Sequence, residues 1–321
     1  MLLSVPGDLK ERSLILLDIN LSTAGVAVSL PGLIILGLVI GFMSGMFGAG
    51  GGFLLTPFLR IFFGVPYPLA IGSSLLQIFF TCLAAAGRHW KQRTVDPLLA
   101  CIMAAGALAG TEIGVRVLNF LATGNKVIIN GRSFLIQDLF LTGMFLFLMT
   151  GVAVFIGRET SRAQTNAGDE TATTIALGLQ TWKITPVLAF PRSRIRSLSL
   201  WIPLALSLFV GILTGLMGVG GGFVNFPLLV YVIGVPTHVA VGTSALQVAL
   251  ASGYGALRHG GQGNIDLLLV ALLLVGSLAG ARLGAVVSRR FAGTRLRRYF
   301  AGVLLVGVLV ILGDLVAGIW W

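Results

Sequence analysis

Charge is scarce in this chain: Asp, Glu, Lys and Arg make up 10% of its 321 residues. A water-soluble domain carries about 25%. A soluble globular surface is therefore excluded, and the 56% of hydrophobic residues and mean hydropathy of +0.97 describe a multi-pass membrane protein instead. Cysteine is nearly missing. Cys82 and Cys101 are the only two; they lie in apolar runs without metal-ligand spacing or a disulfide context, and read as plain core thiols. Histidine is equally rare, and each of the three sits near the end of an apolar run. An intramembrane enzyme, which needs a nucleophile facing a base, has no support there. Acidic residues number 11 against 22 basic ones. That excess forms no aromatic-interleaved face for nucleic acid but falls in short gaps between apolar runs, as cytoplasmic loops require. Residues 1–28 have no small-residue cleavage site after an adequate apolar core, and read as a retained segment and not a signal peptide.

Glycine is what the chain has in place of charge, and it is clustered. Gly45-Met46-Phe47-Gly48-Ala49-Gly50-Gly51-Gly52-Phe53, followed by Pro57, recurs 170 positions later as Gly215-Leu216-Met217-Gly218-Val219-Gly220-Gly221-Gly222-Phe223, followed by Pro227. The same offset carries Gly64-Val65-Pro66 onto Gly234-Val235-Pro236, Gln77 onto Gln247, Asp96 onto Asp266 and Gly114 onto Gly284. Glycines remove helix propensity and admit positive φ, so each cluster predicts an interrupted helix. A spanning helix needs roughly 20 apolar residues. Runs near 29–48, 67–87, 97–119, 137–157, 201–219, 237–257, 267–288 and 299–319 meet that length, whereas 52–64 and 222–235 read as half-helices of a broken or re-entrant hairpin.

Loop charge sets the orientation. Arg88, Lys91 and Arg93, then Arg158, Arg162, Lys183, Arg192, Arg194 and Arg196, then Arg289, Arg290, Arg295, Arg297 and Arg298 fall on one side if each unit has about five membrane elements. The other side receives Lys10, Arg12, Lys126, Arg132 and Arg258. The basic side is cytoplasmic, and an odd number of elements inverts the second copy relative to the first. The expected architecture is all-α, with an N-terminal segment 1–28, membrane repeat 29–157, cytoplasmic linker 158–200 and inverted membrane repeat 201–321. Asn130-Gly131 between β-prone arms predicts a small external β-hairpin near 125–136. Residues 158–174 read as a flexible linker, and 175–200, ending in Arg192-Ser193-Arg194-Ile195-Arg196, as a segment lying on an anionic leaflet.

Candidate binding residues follow from the duplication. Backbone N–H groups of Gly50, Gly51 and Gly52, and of Gly220, Gly221 and Gly222, together with the positive end of a half-helix, suit an anion; close helix packing is the competing use of such glycines. Gly72-Ser73-Ser74 with Gln77, and Gly242-Thr243-Ser244 with Gln247, place hydroxyl and amide on one helical face and offer neutral donors without a buried positive charge. Interhelical hydrogen bonding is their bland alternative. Asn225, whose counterpart is Leu55, is an asymmetric polar group beside one cluster. Arg88-His89 with Gln92, and Arg258-His259 with Gln262, could gather anions at two entrances or simply anchor the interface. Glu112 should meet Arg116 one turn on; Asp138 and Asp314 read as snorkelling or capping carboxylates, and His238 as a lone structural imidazole. No metal or cofactor site is indicated.

The paired Gly-x-x-Gly-x-Gly-Gly-Gly-Phe with its downstream Pro, and the paired Gly-Ser/Thr-Ser-x-x-Gln, resemble the sulfite exporter TauE/SafE family over about residues 29–319. The resemblance implies a secondary transporter in the cytoplasmic membrane that moves sulfite, sulfoacetate or other small organosulfur or organic anions, often outward, with the glycine, Ser, Thr and Gln residues above lining its path. The expected partners are a small anion and the lipid bilayer, no nucleic acid, and a homo-oligomer is left open. A channel or divalent metal-cation permease is the alternative, although such a pathway wants carboxylates or imidazoles at its centre.

Overall fold

The computed structural model describes residues 18–21, 26–47, 51–121, 126–129, 132–165, 174–182, 184–288 and 293–320, and is 82% helical. The first copy comprises α1 (Leu30–Phe47), α2 (Gly52–Phe63), α3 (Tyr67–Lys91), α4 (Pro97–Leu121) and α5 (Ile136–Thr165). A short α6 (Thr174–Thr181) follows, and then the second copy: α7 (Trp201–Met217), α8 (Gly222–Pro227) continued by a π-helical stretch Leu228–Ile233, α9 (Thr237–Gly260), α10 (Leu267–Ser288) and α11 (Gly293–Trp320). Six of these, α1, α3, α4, α5, α10 and α11, are long and apolar enough to cross a membrane. Their outward faces carry large apolar side chains, Phe147, Val275 and Leu309 among them, which a bilayer covers and water would not.

The half-helices are bounded by the glycines that the motif supplies. Gly51 and Gly221 start them at φ 64° and 71°, and Gly64 and Gly234 end them at φ 64° and 89°, all in the left-handed region. At the first stop, the Gly64 N–H donates to the Arg60 carbonyl at 3.1 Å and the Val65 N–H to that of Leu59 at 3.2 Å, closing the helix before Pro66 starts the next one.

The copies are joined by exchange. Gly37, Gly41 and Gly45 of α1 are so close to Leu273, Ser277 and Ala281 of α10 that an added Cβ would fall on those residues' backbone. Gly211 and Gly215 of α7 meet Ala107 and Thr111 of α4 in the same way. The Gly41 and Gly45 contacts are the counterparts of the Gly211 and Gly215 contacts at the 170-residue offset. The residue numbers rise together in both pairs, so α1 runs parallel to α10 and α4 to α7. By contrast α3 and its copy α9 run antiparallel: Leu75 meets Gly255, Ile78 and Cys82 cluster with Val248, and Ala85 and Ala86 with Ala245. The offset fails only at the last helix of each copy, because the α4–α5 connection holds an insertion that the α10–α11 connection lacks.

That insertion is the predicted hairpin. Strands β3 (Lys126–Ile129) and β4 (Arg132–Leu135) pair antiparallel with Lys126 opposite Leu135 and Ile129 opposite Arg132; the Asn130-Gly131 turn lies outside the described residues. A further antiparallel pair, β1 (Asp18–Leu21) and β2 (Val26–Ser29), precedes α1. Residues 1–17 and the polar stretch 166–173 also lie outside the described residues.

The segment before α7, expected to lie on an anionic leaflet, holds a pair of strands. Val187–Phe190 and Ile195–Ser199 form a hairpin, β5 and β6, whose exposed turn is anchored by one buried residue, Ser193. The buried Ser193 hydroxyl donates to Asp96 Oδ2 at 2.7 Å, and Arg192 donates to the Val95 carbonyl at 2.9 Å. Gln180 of α6 reaches the Ile233 carbonyl of the second copy at 3.1 Å. The arginines of this segment therefore flank a docked turn, and their charge alone gave no sign of the serine between them. Ser193→Ala should cost about 1–3 kcal/mol in unfolding free energy by leaving a buried carboxylate oxygen unpaired. Thermal unfolding in detergent checks this.

Candidate functional site

The duplicated polar motif converges where α3 and α9 cross. Ser74, Gln77, Ser244 and Gln247 are fully buried, as are Thr81 and Asn225 beside them. Spacing explains their shared orientation: a serine and a glutamine three residues apart lie on one helical face, which both copies turn inward. The two glutamines are held differently. Gln77 Nε2 donates to Thr81 Oγ1 at 2.9 Å, and that hydroxyl donates to the Gln77 carbonyl at 2.7 Å. In the second copy Asn225 Nδ2, from α8, donates to Ser244 Oγ at 3.1 Å and to Gln247 Oε1 at 2.8 Å. Ala251 replaces Thr81 and Leu55 replaces Asn225 at the matching positions, so each copy solves the same problem with its own residue.

Much hydrogen-bonding capacity is left over. Ser74 Oγ, Gln77 Oε1, Asn225 Oδ1, Gln247 Nε2 and Ser252 Oγ are buried without a partner. Buried polar groups are normally paired, and an unmet one costs about 1–3 kcal/mol. These unmet groups, two carbonyl oxygens, two hydroxyls and one amide nitrogen, lie on α3, α8 and α9.

Ser73 and Thr243 are engaged elsewhere. The Asp266 N–H donates to Ser73 Oγ at 3.1 Å and the Asp96 N–H to Thr243 Oγ1 at 3.0 Å, so each hydroxyl ties its helix to the connection preceding α10 or α4 in the other copy. Both aspartates cap those helices, accepting from Leu99 and Leu269 N–H at 3.2 and 3.0 Å. Gly72 and Gly242 permit the approach, since a Cβ would strike the carbonyls of Asn264 and Thr94.

The glycine clusters divide by role. Gly45 and Gly215, which open them, are helix-packing residues. Gly218, Gly220 and Gly221 adopt φ of 71°, 67° and 71°, and Gly51 adopts 64°, so they turn the chain. Gly50, with Gly48 and Ala49, lies outside the described residues. Gly52 and Gly222 begin the half-helices, which meet head to head: Phe53 and Phe223 have ring centroids 5.6 Å apart, and Phe300 packs on Phe53 and Phe226 at 5.8 Å each. Thr56 of α2 donates to the Gly218 carbonyl at 3.3 Å, linking one half-helix to the turn before the other.

The two residue sets expected at the entrances are placed differently. Arg258 donates to Glu112 at 2.8 Å, and Arg116 and Tyr254 also bind that carboxylate, each at 2.9 Å. The expected Glu112–Arg116 pair is present, with two more partners. His259 is fully buried, and its Nε2–H donates to the Gly215 carbonyl at 3.2 Å. Gly72 of α3 lies against it, where an added Cβ would come within 3.1 Å of the His259 Cβ. In the first copy Arg88, His89 and Gln92 border a cleft together with His238, whose place there no sequence signal revealed. His89 Nδ1 lies 3.0 Å from Thr94 Oγ1. Asp138, expected to snorkel or cap, is ion-paired with Arg60 at 2.7 Å. Cys82 is buried as expected, whereas Cys101 faces outward. Among the described residues, no three of His, Cys, Asp and Glu come together as metal ligands would.

Comparison with known proteins bears on this arrangement as a whole. The family model for "Sulfite exporter TauE/SafE" matches residues 33–311. The chain is 28% identical over 265 residues to the probable membrane transporter protein YunE of Bacillus subtilis, covering 80% of this chain and 88% of that one. It is 24% identical over 280 residues to the probable membrane transporter protein YjnA of the same organism, covering 85% and 96%. It is also 26% identical over 284 residues to a probable membrane transporter protein of Xylella fastidiosa, covering 85% and 91%. No solved structure matches it.

Proposed function

Because this multi-pass membrane protein belongs to the sulfite exporter TauE/SafE family, we propose that it is a secondary transporter, and not an enzyme, which moves a small anion such as sulfite, sulfoacetate or another organosulfur or organic anion out across the cytoplasmic membrane. The anion sits where α3 and α9 cross, held by Ser74, Gln77, Ser244, Gln247 and Asn225, with glycine N–H groups of the two half-helix starts beside it. The observation that carries this reading is the set of fully buried, neutral polar atoms with unmet hydrogen bonds on those two helices. Of the unmet atoms, the Ser74 and Ser252 hydroxyls and the Gln247 amide nitrogen can donate, and neutral donors replace an anion's hydration shell without leaving a buried positive charge when the site is empty, which would be expensive in a membrane.

The two copies insert in opposite senses in this reading, which the antiparallel course of α3 and α9 supports, and access alternates as one copy rocks against the other. The membrane potential supplies about 2.3 kcal/mol per charge per 100 mV, inside negative, so an anion leaves without a coupled ion. A cation channel or metal permease would instead want carboxylates or imidazoles at the α3–α9 crossing, and Glu112 stands apart from it, bound by Arg116, Tyr254 and Arg258.

The test is flux in proteoliposomes under an imposed potential. Sulfite and sulfoacetate should pass and Mn²⁺ or Mg²⁺ should not. Divalent-cation flux without anion flux would sink the anion reading and leave the permease.

A further inference from the structure

The unmet polar atoms near the α3–α9 crossing are of opposite kinds. Ser74 Oγ, Ser252 Oγ and Gln247 Nε2 can donate, whereas Gln77 Oε1 and Asn225 Oδ1 are carbonyl oxygens and can only accept. All five belong to fully buried residues. Ser252 is a member that the duplication hid: its counterpart is Cys82, and an added Cβ on Gly220 would come within 3.0 Å of its hydroxyl.

Turning the amides does not remove the carbonyl oxygens. The Thr81 hydroxyl gives its one proton to the Gln77 main-chain carbonyl at 2.7 Å, so it can only accept from the Gln77 side chain, at 2.9 Å. The Gln77 amide nitrogen therefore faces Thr81, and Oε1 is left over. In the second copy one hydrogen bond of 2.8 Å joins the Asn225 and Gln247 amides. Turning both over keeps that bond and again leaves one carbonyl oxygen and one amide nitrogen, with the two residues' parts exchanged.

This mixture decides what can settle there. A bare cation would meet the carbonyl oxygens but face the Gln247 N–H. A fully deprotonated anion would meet the hydroxyls and that N–H, but would set its lone pairs against two buried carbonyl oxygens and leave them unpaired. A group with negative charge and an O–H or N–H of its own satisfies both kinds. Ser74, Gln77, Asn225, Gln247 and Ser252 are all neutral, so a second charge on the ligand would be dehydrated with nothing opposite to it.

We propose that the site selects a monoanion that carries its own hydrogen-bond donor: hydrogensulfite in preference to the sulfite dianion, and a hydroxyalkanesulfonate in preference to the plain alkanesulfonate. The ligand's O–H points to Gln77 Oε1 or to the carbonyl oxygen left by the Asn225–Gln247 pair, and its charged oxygens accept from the hydroxyls and the amide N–H. Sulfoacetate qualifies when its carboxyl holds a proton. This rests on the transport reading above and narrows its substrate to one protonation state.

Isethionate (2-hydroxyethanesulfonate) and propane-1-sulfonate make the comparison, being monoanions of nearly equal size that differ by O–H against CH₃. Thermal unfolding of the full chain in detergent, titrated with each, gives two half-saturating concentrations, because a ligand of the folded state raises stability by mass action. Isethionate should half-saturate at a concentration about tenfold lower or more, as expected when a buried acceptor gains its partner. Gln77→Leu and Asn225→Leu, measured singly, show which carbonyl oxygen meets the O–H, and the double variant should bring the ratio close to one. Equal concentrations for the unaltered protein, or a preference that survives the double variant, overturn the proposal. So does stabilisation that needs Na⁺ and is lost when choline replaces it, which would give the carbonyl oxygens to a co-transported cation. In proteoliposomes at constant total sulfite, protein-dependent flux should rise as pH falls through neutrality and the hydrogensulfite share grows. Flux that instead follows the dianion overturns the proposal, and decides the matter if neither sulfonate binds. Sulfite flux without preference between the sulfonates rejects the donor requirement and leaves transport standing; preference without flux of any anion does the reverse.

Discussion

Replacing Gln77 and Gln247 together with leucine should reduce sulfite flux in proteoliposomes by about two orders of magnitude or more, because two hydrogen bonds to a charged ligand are lost at about 1.5–3 kcal/mol each. The same double variant should unfold at an unchanged or higher temperature, and this is what separates a site from interhelical glue. If the amides served stability, leucine would weaken the fold. Gln77 Oε1 and Gln247 Nε2 are instead buried without partners, so an apolar side chain of similar size removes a standing cost. Gln77 is the cleaner of the two, since its one side-chain bond goes to Thr81, which also bonds the Gln77 carbonyl. Substituting Gln247 leaves Asn225 with Ser244 alone, and Asn225→Leu in the same background should raise the unfolding temperature further. Flux that survives the double variant, or a large fall in thermal stability, would remove these residues from the site.

Glycine substitution should give the largest effect on folding, with a sign that depends on the helix face. Gly41→Ala and Gly211→Ala each add a Cβ that falls on the backbone of Ser277 or Ala107. Overpacking costs about 1–3 kcal/mol where side chains can yield, and a helix backbone yields less, so the pair together should prevent recovery of folded protein. Gly151→Ala, in an equally apolar helix but with nothing within 4 Å of the added carbon, should be neutral or stabilise by up to about 1 kcal/mol through helix propensity. Yield after membrane extraction and midpoint temperature by fluorescence measure both. Equal behaviour of Gly41 and Gly151 would show that the close approach of α1 and α10 does not hold the molecule together.

The helices and their interruptions were legible because each depends on local composition: apolar length for the spans, glycine and proline for the stops. The duplication was legible because a 170-residue offset needs no gap from Gly45 to Gly284. Which glycines pack and which turn the chain was not, since the same absence of a side chain serves Gly45 against Ala281 and Gly51 at positive φ. The polar motif could be placed on one helical face by spacing, but spacing does not say that the Ser73 hydroxyl is met by the Asp266 N–H, 193 residues away. Arg60 and Asp138 likewise pair across 78 residues. Asn225 was marked by its asymmetry alone, and the structure adds the reason: it binds the glutamine that lacks a neighbouring threonine.

The meeting of Phe53 with Phe223 carries one more consequence. A residue that touches its own equivalent sits where the two-fold axis of an isologous homodimer would pass, and the exchanged glycine contacts of α1 with α10 and α4 with α7 obey the same rule of reciprocity. One polypeptide thus contains a dimer interface whose two protomers are encoded separately. Separate encoding is what lets equivalent positions part company, as Leu55 and Asn225, Pro68 and His238, and Glu112 and Arg282 have done. A true homodimer would have two identical ends; the two ends of this chain differ in sequence.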